Sequence, residues 1–193
     1  AAELLNEVGQ IAAPNEEAAA LRDKANLALG FAWLKANRPE DAKKVLQRVR
    51  LEGPLSNKAL LAVGWADSAE KRYTKALAPW LELRDRNMLD SAVQESYLAI
   101  PYAYAQLAAN GQAAEQYVTA VEAFAAESQR IDQSIEAIRN GGLLEAIVEN
   151  DKTDQVGWYW QLQNLPDAPE TRYLYHLLAT HEFQEGLKNY RDL

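Results

Sequence analysis

Apolar positions recur at helical spacing along this chain, and the pattern returns after 34 residues. Between Ala18 and Lys35, Ala25, Leu29, Ala32 and Trp33 form such a stripe among strong helix formers. Asn37 can adopt the left-handed conformation that closes a helix, and Pro39 suits the next helix's first turn, where no amide hydrogen is needed. Glu40 and Asp41 match that helix's positive end; Ala42, Val45, Leu46 and Val49 are its buried stripe, and Gly53-Pro54 ends it. Shifted by 34, Leu29, Gly30, Trp33, Ala42, Leu46 and Pro54 fall on Val63, Gly64, Asp67, Ala76, Trp80 and Met88. A fixed period of this length marks a helical solenoid, whose units bury their apolar faces only against neighbours.

The second unit predicts a helix capped by Ser56 or Asn57 and running through Ala69, faced by a stripe of Tyr73, Ala76, Trp80 and Leu83. Pro79 within that stripe predicts a late start or a kink. The third opens at Asp90-Ser91, with Ser91 and Gln94 spaced as a capping box, and carries Tyr97, Ile100 and Tyr104 with a bend at Pro101. After a turn at Asn110-Gly111, Ala113, Tyr117, Ala120 and Phe124 repeat the stripe three residues later than a strict period demands. Beyond it, Ile131, Ile135 and Ile138 predict one short helix broken at Gly141-Gly142, and Leu143, Leu144, Ile147 and Val148 another. Asn150 to Asp154 reads as a hinge, Pro166 and Pro169 bracket Asp167, and a helix follows from about Glu170. Leu177, Phe183, Gly186, Tyr190 and Leu193 keep the spacing of a degenerate fourth repeat, cut off within its second helix. Nothing alternates with period two for long enough to be a strand, which predicts an all-α chain. The divisions are 1–17, an N-terminal segment; 18–126, three repeats; 127–165, an irregular helical region; and 166–193, a partial repeat.

These residues resemble the tetratricopeptide repeat family. Leu29-Gly30, Trp33, Ala42, Leu46 and Pro54 match its pattern in the first repeat; Gly64, Tyr73, Ala76 and Trp80 in the second; Tyr104, Ala113, Tyr117 and Ala120 in the third. The resemblance covers residues 20–125 well and 170–193 weakly. Val49 to Leu61 and Tyr97 to Tyr104 are similar to uncharacterised tetratricopeptide proteins of gammaproteobacteria. The resemblance implies a right-handed solenoid of antiparallel helix pairs and, in function, a surface that holds other proteins. Two positions depart from it, Asp67 where an aromatic is usual and Met88 where proline is. The clamp that one subclass uses on carboxylate tails needs Lys then Asn four residues on. Lys24 is followed by Ala28, and strict repeat counting meets Leu27 and Phe31, so that clamp is not supported.

Composition narrows the chemistry. With 48% apolar residues the chain can bury a core without metal or disulfide. The net charge is −8 and the basic residues are scattered, the densest group (Lys43, Lys44, Arg48, Arg50) lying among acids; nucleic acid is not an expected partner. The absence of cysteine excludes a disulfide framework, a thiolate metal site and a cysteine nucleophile. The longest apolar stretch, Tyr97 to Ala109, is short and broken by Pro101 and Gln106, so no membrane insertion is expected. The chain opens Ala-Ala-Glu, which suggests a processed form or an excised piece, and a bacterial periplasm or envelope is favoured over the cytoplasm.

No catalytic constellation emerges. His176 and His181 are five apart, where zinc ligands on one helix want three or four. Gly141-Gly142 lacks the residues of a phosphate loop, the serines have no elbow motif, and Glu16-Glu17, Glu40-Asp41 and Asp85 read as surface charge. We therefore expect neither catalysis, cofactor nor metal, but a scaffold that binds a peptide or partner protein in a concave groove. Its lining is expected from Asn26, Phe31, Trp65, Tyr97 and Tyr102. Trp158, Tyr159 and Trp160 cannot all face one side of a helix; they form either a partner-binding tip, which adds Trp158 and Trp160 to the candidates, or a plug against the C-terminal helices. The alternative is a spacer segment of a larger bacterial envelope or secretion assembly; an enzyme regulated by its helices ranks last. Phe183, Leu187 and Tyr190 near the end of the chain predict an apolar surface that self-associates or is mobile.

Overall fold

The structure is a computed structural model that describes residues 1–150 and 169–191. Among them are ten helices and no strand: α1 Ala2–Val8, α2 Glu16–Lys35, α3 Pro39–Leu46, α4 Ser56–Ala69, α5 Tyr73–Arg84, α6 Ser91–Gln106, α7 Asn110–Arg139, α8 Gly142–Asn150, α9 Pro169–Leu178 and α10 His181–Arg191. No helix among the described residues is long and apolar enough to cross a membrane. The chain divides into two compact units, Ala1–Glu122 and Ala123–Leu193.

In the first unit each helix from α1 to α6 packs on the next, and α4 also meets α2 and α6. Three turns set this order. Asn37, Lys71 and Ala108 all have positive φ, at 55°, 57° and 58°. Behind each, an amide reaches back five residues: Arg38 to the Trp33 carbonyl (2.8 Å), Arg72 to Asp67 (2.8 Å) and Ala109 to Tyr104 (3.0 Å). The turns fall 34 and then 37 residues apart, so the three-residue slip read from the stripes lies before the third turn. Only Asn37 announces its conformation by residue type; a lysine or alanine pays a steric cost there that tertiary packing offsets.

The alanines of the stripe sit where helices touch. Ala42 and Ala76 are fully buried and Ala113 is 5% exposed. Around them lie two cores, one of Leu27, Ala42, Leu46, Val49, Ala59 and Ala62, the other of Ala76, Leu77, Trp80, Ala99, Ile100 and Ala103. Several local expectations shift. Asp90 rather than Ser91 caps α6, accepting from the Ala92 amide at 2.8 Å, and Gln94 turns back to the Met88 carbonyl. Neither Ser56 nor Asn57 caps α4; Leu55 holds that place without a side-chain bond. Helix α5 starts at Tyr73 and runs through Pro79. The expected turn at Asn110-Gly111 is instead the start of α7. That helix continues without a break to Arg139, absorbing the separate short helix expected around Ile131–Ile138, since no glycine or proline interrupts residues 112–139.

In the second unit α8, α9 and α10 share a core of Leu143, Ile147, Leu178 and Leu187, with Leu174 and Phe183 against it. Buried Glu127 accepts hydrogen bonds from Arg130 (2.6 Å) and the Tyr173 hydroxyl (2.8 Å). Burial, then that carboxylate, pushes the Tyr173 phenol above its ordinary range. The apolar face expected at α10 is mostly consumed here: Leu187 is in the core and Phe183 packs on it, while Tyr190 stays exposed.

Because Ala76 has no free space around it, Ala76→Leu should destabilise the protein by about 1–3 kcal/mol. Ala28→Leu, on an exposed position of α2, should change stability by less than about 0.5 kcal/mol. Urea denaturation of both variants checks this.

Candidate functional site

The site is an aromatic ladder on the first helix of each pair. Counting back six residues from each left-handed turn gives Phe31 on α2, Trp65 on α4 and Tyr102 on α6. Two helical turns earlier, at equivalent exposed places, stand Lys24, Lys58 and Glu95. A spacing of seven puts each charge on the face of its aromatic residue.

Phe31 is 46% and Tyr102 36% exposed, while Trp65 lies half-buried. The Trp65 ring meets Trp80 edge-on at 4.9 Å and Tyr102 at 6.0 Å; Tyr102 in turn meets Tyr73 at 6.1 Å. Helices α4, α5 and α6 thus build one aromatic cluster. The Trp65 indole N–H donates to Glu95 Oε1 at 2.7 Å, which fixes the ring and leaves a carboxylate beside it. Burial, and then the adjacent Tyr102, pushes the Tyr73 phenol above its ordinary range. An aromatic surface with one polar handle is suited to apolar and cationic groups of another chain.

Two other candidates sit elsewhere. Asn26 is fully buried, its amide donating to the Gly9 carbonyl at 2.8 Å; it holds the segment after α1 against α2 and presents nothing to an open surface. Tyr97 packs against the core of Leu83, Ala92 and Val93, its hydroxyl 3.5 Å from the Arg84 carbonyl. Trp158 and Trp160 lie outside the described residues. Tyr73, Trp80 and Glu95, which are not among the residues expected from the sequence, join the site through contacts with the ladder. Glu95 was legible in principle, since it repeats the position of Lys24 and Lys58.

Charged seams link neighbouring helices of the first unit. Asp67, 1% exposed, accepts from Lys43 Nζ (2.7 Å) and Arg72 Nε (2.9 Å), and Arg72 continues to Glu40. Asp23, equally buried, binds Arg50 Nε at 2.6 Å, and Arg50 reaches Glu16 at 2.8 Å. Of the histidines, His181 lies 3.1 Å from Glu185 and His176 stacks edge-on with Tyr175. No known protein family, curated protein or solved structure matches the chain.

The seams carry a pH dependence. The Arg72 hydrogen bond holds Glu40 below its ordinary value of 4.5, and the Arg50 hydrogen bond does the same to Glu16. A carboxylate with a depressed folded pKa contributes stability that is complete above its unfolded pKa and lost as pH falls through the folded one. The urea midpoint should therefore start to fall below about pH 4.5. The fall should be smaller in a Glu16→Gln/Glu40→Gln variant.

Proposed function

We propose that the chain is a non-catalytic scaffold: a right-handed array of tetratricopeptide-like antiparallel helix pairs that holds a peptide or partner protein across Phe31, Trp65 and Tyr102. The observation that carries this reading is the return of an aromatic side chain at one position of three successive first helices, two of the three left exposed. A spacer has no use for a row of exposed aromatics, whereas buried-on-binding aromatic residues dominate interface energetics. The neighbouring Lys24, Lys58 and Glu95 supply orientation, positive along α2 and α4 and negative on α6.

The test is affinity capture from cells that express the native protein, comparing the wild type with a Phe31→Ala/Tyr102→Ala variant. Phe31 is the more exposed of the two, while Tyr102 keeps ring contacts with Trp65 and Tyr73, so the variant should keep its helical signal and unfold at a modestly lower temperature than the wild type. A specific partner should be retained by the wild type and lost, by about thirtyfold or more in affinity, by the variant. A partner recovered equally by both, or by neither, contradicts the reading.

A further inference from the structure

A second site lies at the junction between the first two helix pairs and shares no residue with the ladder. A cleft of about 320 Å³ opens between the end of α3 and α4, lined chiefly by aliphatic side chains, with Leu51 64% exposed beside it. That volume is at the lower end for a small-ligand pocket, on the order of 300 Å³.

The next junction of the same chain shows what this space is built to contain. Position by position, counted from the left-handed turns, Leu46 becomes Trp80 and Val49 becomes Leu83 on the α3 side. On the α4 side Ser56 becomes Val93, Leu60 becomes Tyr97 and Val63 becomes Ile100. All five residues are larger at the second junction. There Trp80, Leu83 and Val93 are fully buried and Ile100 is 1% exposed, so the counterpart of the cleft is solid core. Helix α3 also stops at Leu46 after eight residues, where α5 runs for twelve, so Val49 lies beyond its helix while Leu83 lies within. The first junction is thus the second with aliphatic side chains in place of an indole and a phenol ring and with several methyl groups taken out.

From this we infer that the cleft accepts one aromatic side chain, tyrosine or phenylalanine, from a partner polypeptide, seated as Tyr97 is seated one repeat later. The ring would lie on Leu60 and Val63, with Leu46, 1% exposed, as the floor beneath it. A phenol oxygen would point at the carbonyl of Arg50, the counterpart of the Arg84 carbonyl that Tyr97 approaches. Ring burial against aliphatic walls is the driving term, and the mouth beside Leu51 leaves room for the backbone that carries it.

Methyl-resolved NMR of the full chain, titrated with N-acetyl-tyrosinamide and with p-cresol, tests this. Both probes should shift the methyl signals of Leu46 and Val63. In Leu60→Tyr, which enlarges a side chain that lines the cleft and also packs on Leu83, Ala92 and Val93, those shifts should weaken at least tenfold. Val63→Ile, a milder filling, should weaken binding at least threefold and serves if Leu60→Tyr does not fold. No shift with either probe overturns the inference, as do equal shifts in the filled variants. Binding of p-cresol alone would reassign the cleft to a free small aromatic, and N-acetyl-leucinamide binding as well as the tyrosine probe would refute the preference for a ring.

Discussion

Everything in the first unit depends on how closely a first helix can lie on the large side chain of its partner. Gly30 faces Leu46, and Gly64, at the same separation of sixteen residues, faces Trp80. A Cβ added to Gly30 would fall 2.4 Å from the Leu46 side chain, and one added to Gly64 only 2.1 Å from the Trp80 indole. Such contacts are impossible, so the helix backbone itself rests on the side chain. The approach brings the Trp80 N–H within 3.2 Å of the Leu61 carbonyl and leaves the ring fully buried. It also places Trp65, one residue after Gly64, edge-on to the same ring, so the packing contact orients a rung of the ladder. At the third pair the constraint lapses. The residue in glycine's place is Pro101, fully buried, and the one in the place of Trp80 is Tyr117, 47% exposed.

A second force replaces packing where the repeat pattern breaks. Asp67 stands where Trp33 and Tyr104 supply rings in the other pairs, and it is buried with Lys43 from α3 and Arg72 from the turn before α5. The two cations supply the hydrogen bonds and opposite charge that a buried carboxylate requires. This seam joins α3, α4 and the turn before α5 at one point, so the substitution of an acid for an aromatic exchanges dispersion for directional bonds. In the first pair the ring survives, with the Arg38 guanidinium 4.1 Å over Trp33.

Local signals in the sequence carried the helical class, the proline at the start of α3 and the alanine stripe, because these follow from spacing alone; Phe31, Trp65 and Tyr102 are legible as candidates, but their equivalence rests on the positions of the left-handed turns. What escaped was set by partners distant in the chain. Asn26 has the look of a groove-facing polar residue, yet its bond goes to Gly9, seventeen residues back. Lys71 and Ala108 give no hint of positive φ, since neighbouring helices impose it. The unbroken α7 defeated a reading that treated each apolar cluster as a separate helix. The cleft at the first junction is visible only as a difference between two packed places, and no single residue type announces it.

The central claim is that the contact of Gly64 with Trp80 sets the spacing of the helix pair. A double-mutant cycle in urea, with Gly64→Ala, Trp80→Val and the two combined, measures it. Alanine is intrinsically better in a helix than glycine by about 1 kcal/mol, so any cost at position 64 must come from its neighbour. Gly64→Ala should destabilise the parent, become neutral or stabilising once the indole is gone, and couple to position 80 by about 1–3 kcal/mol. Equal effects of Gly64→Ala in both backgrounds would contradict the claim.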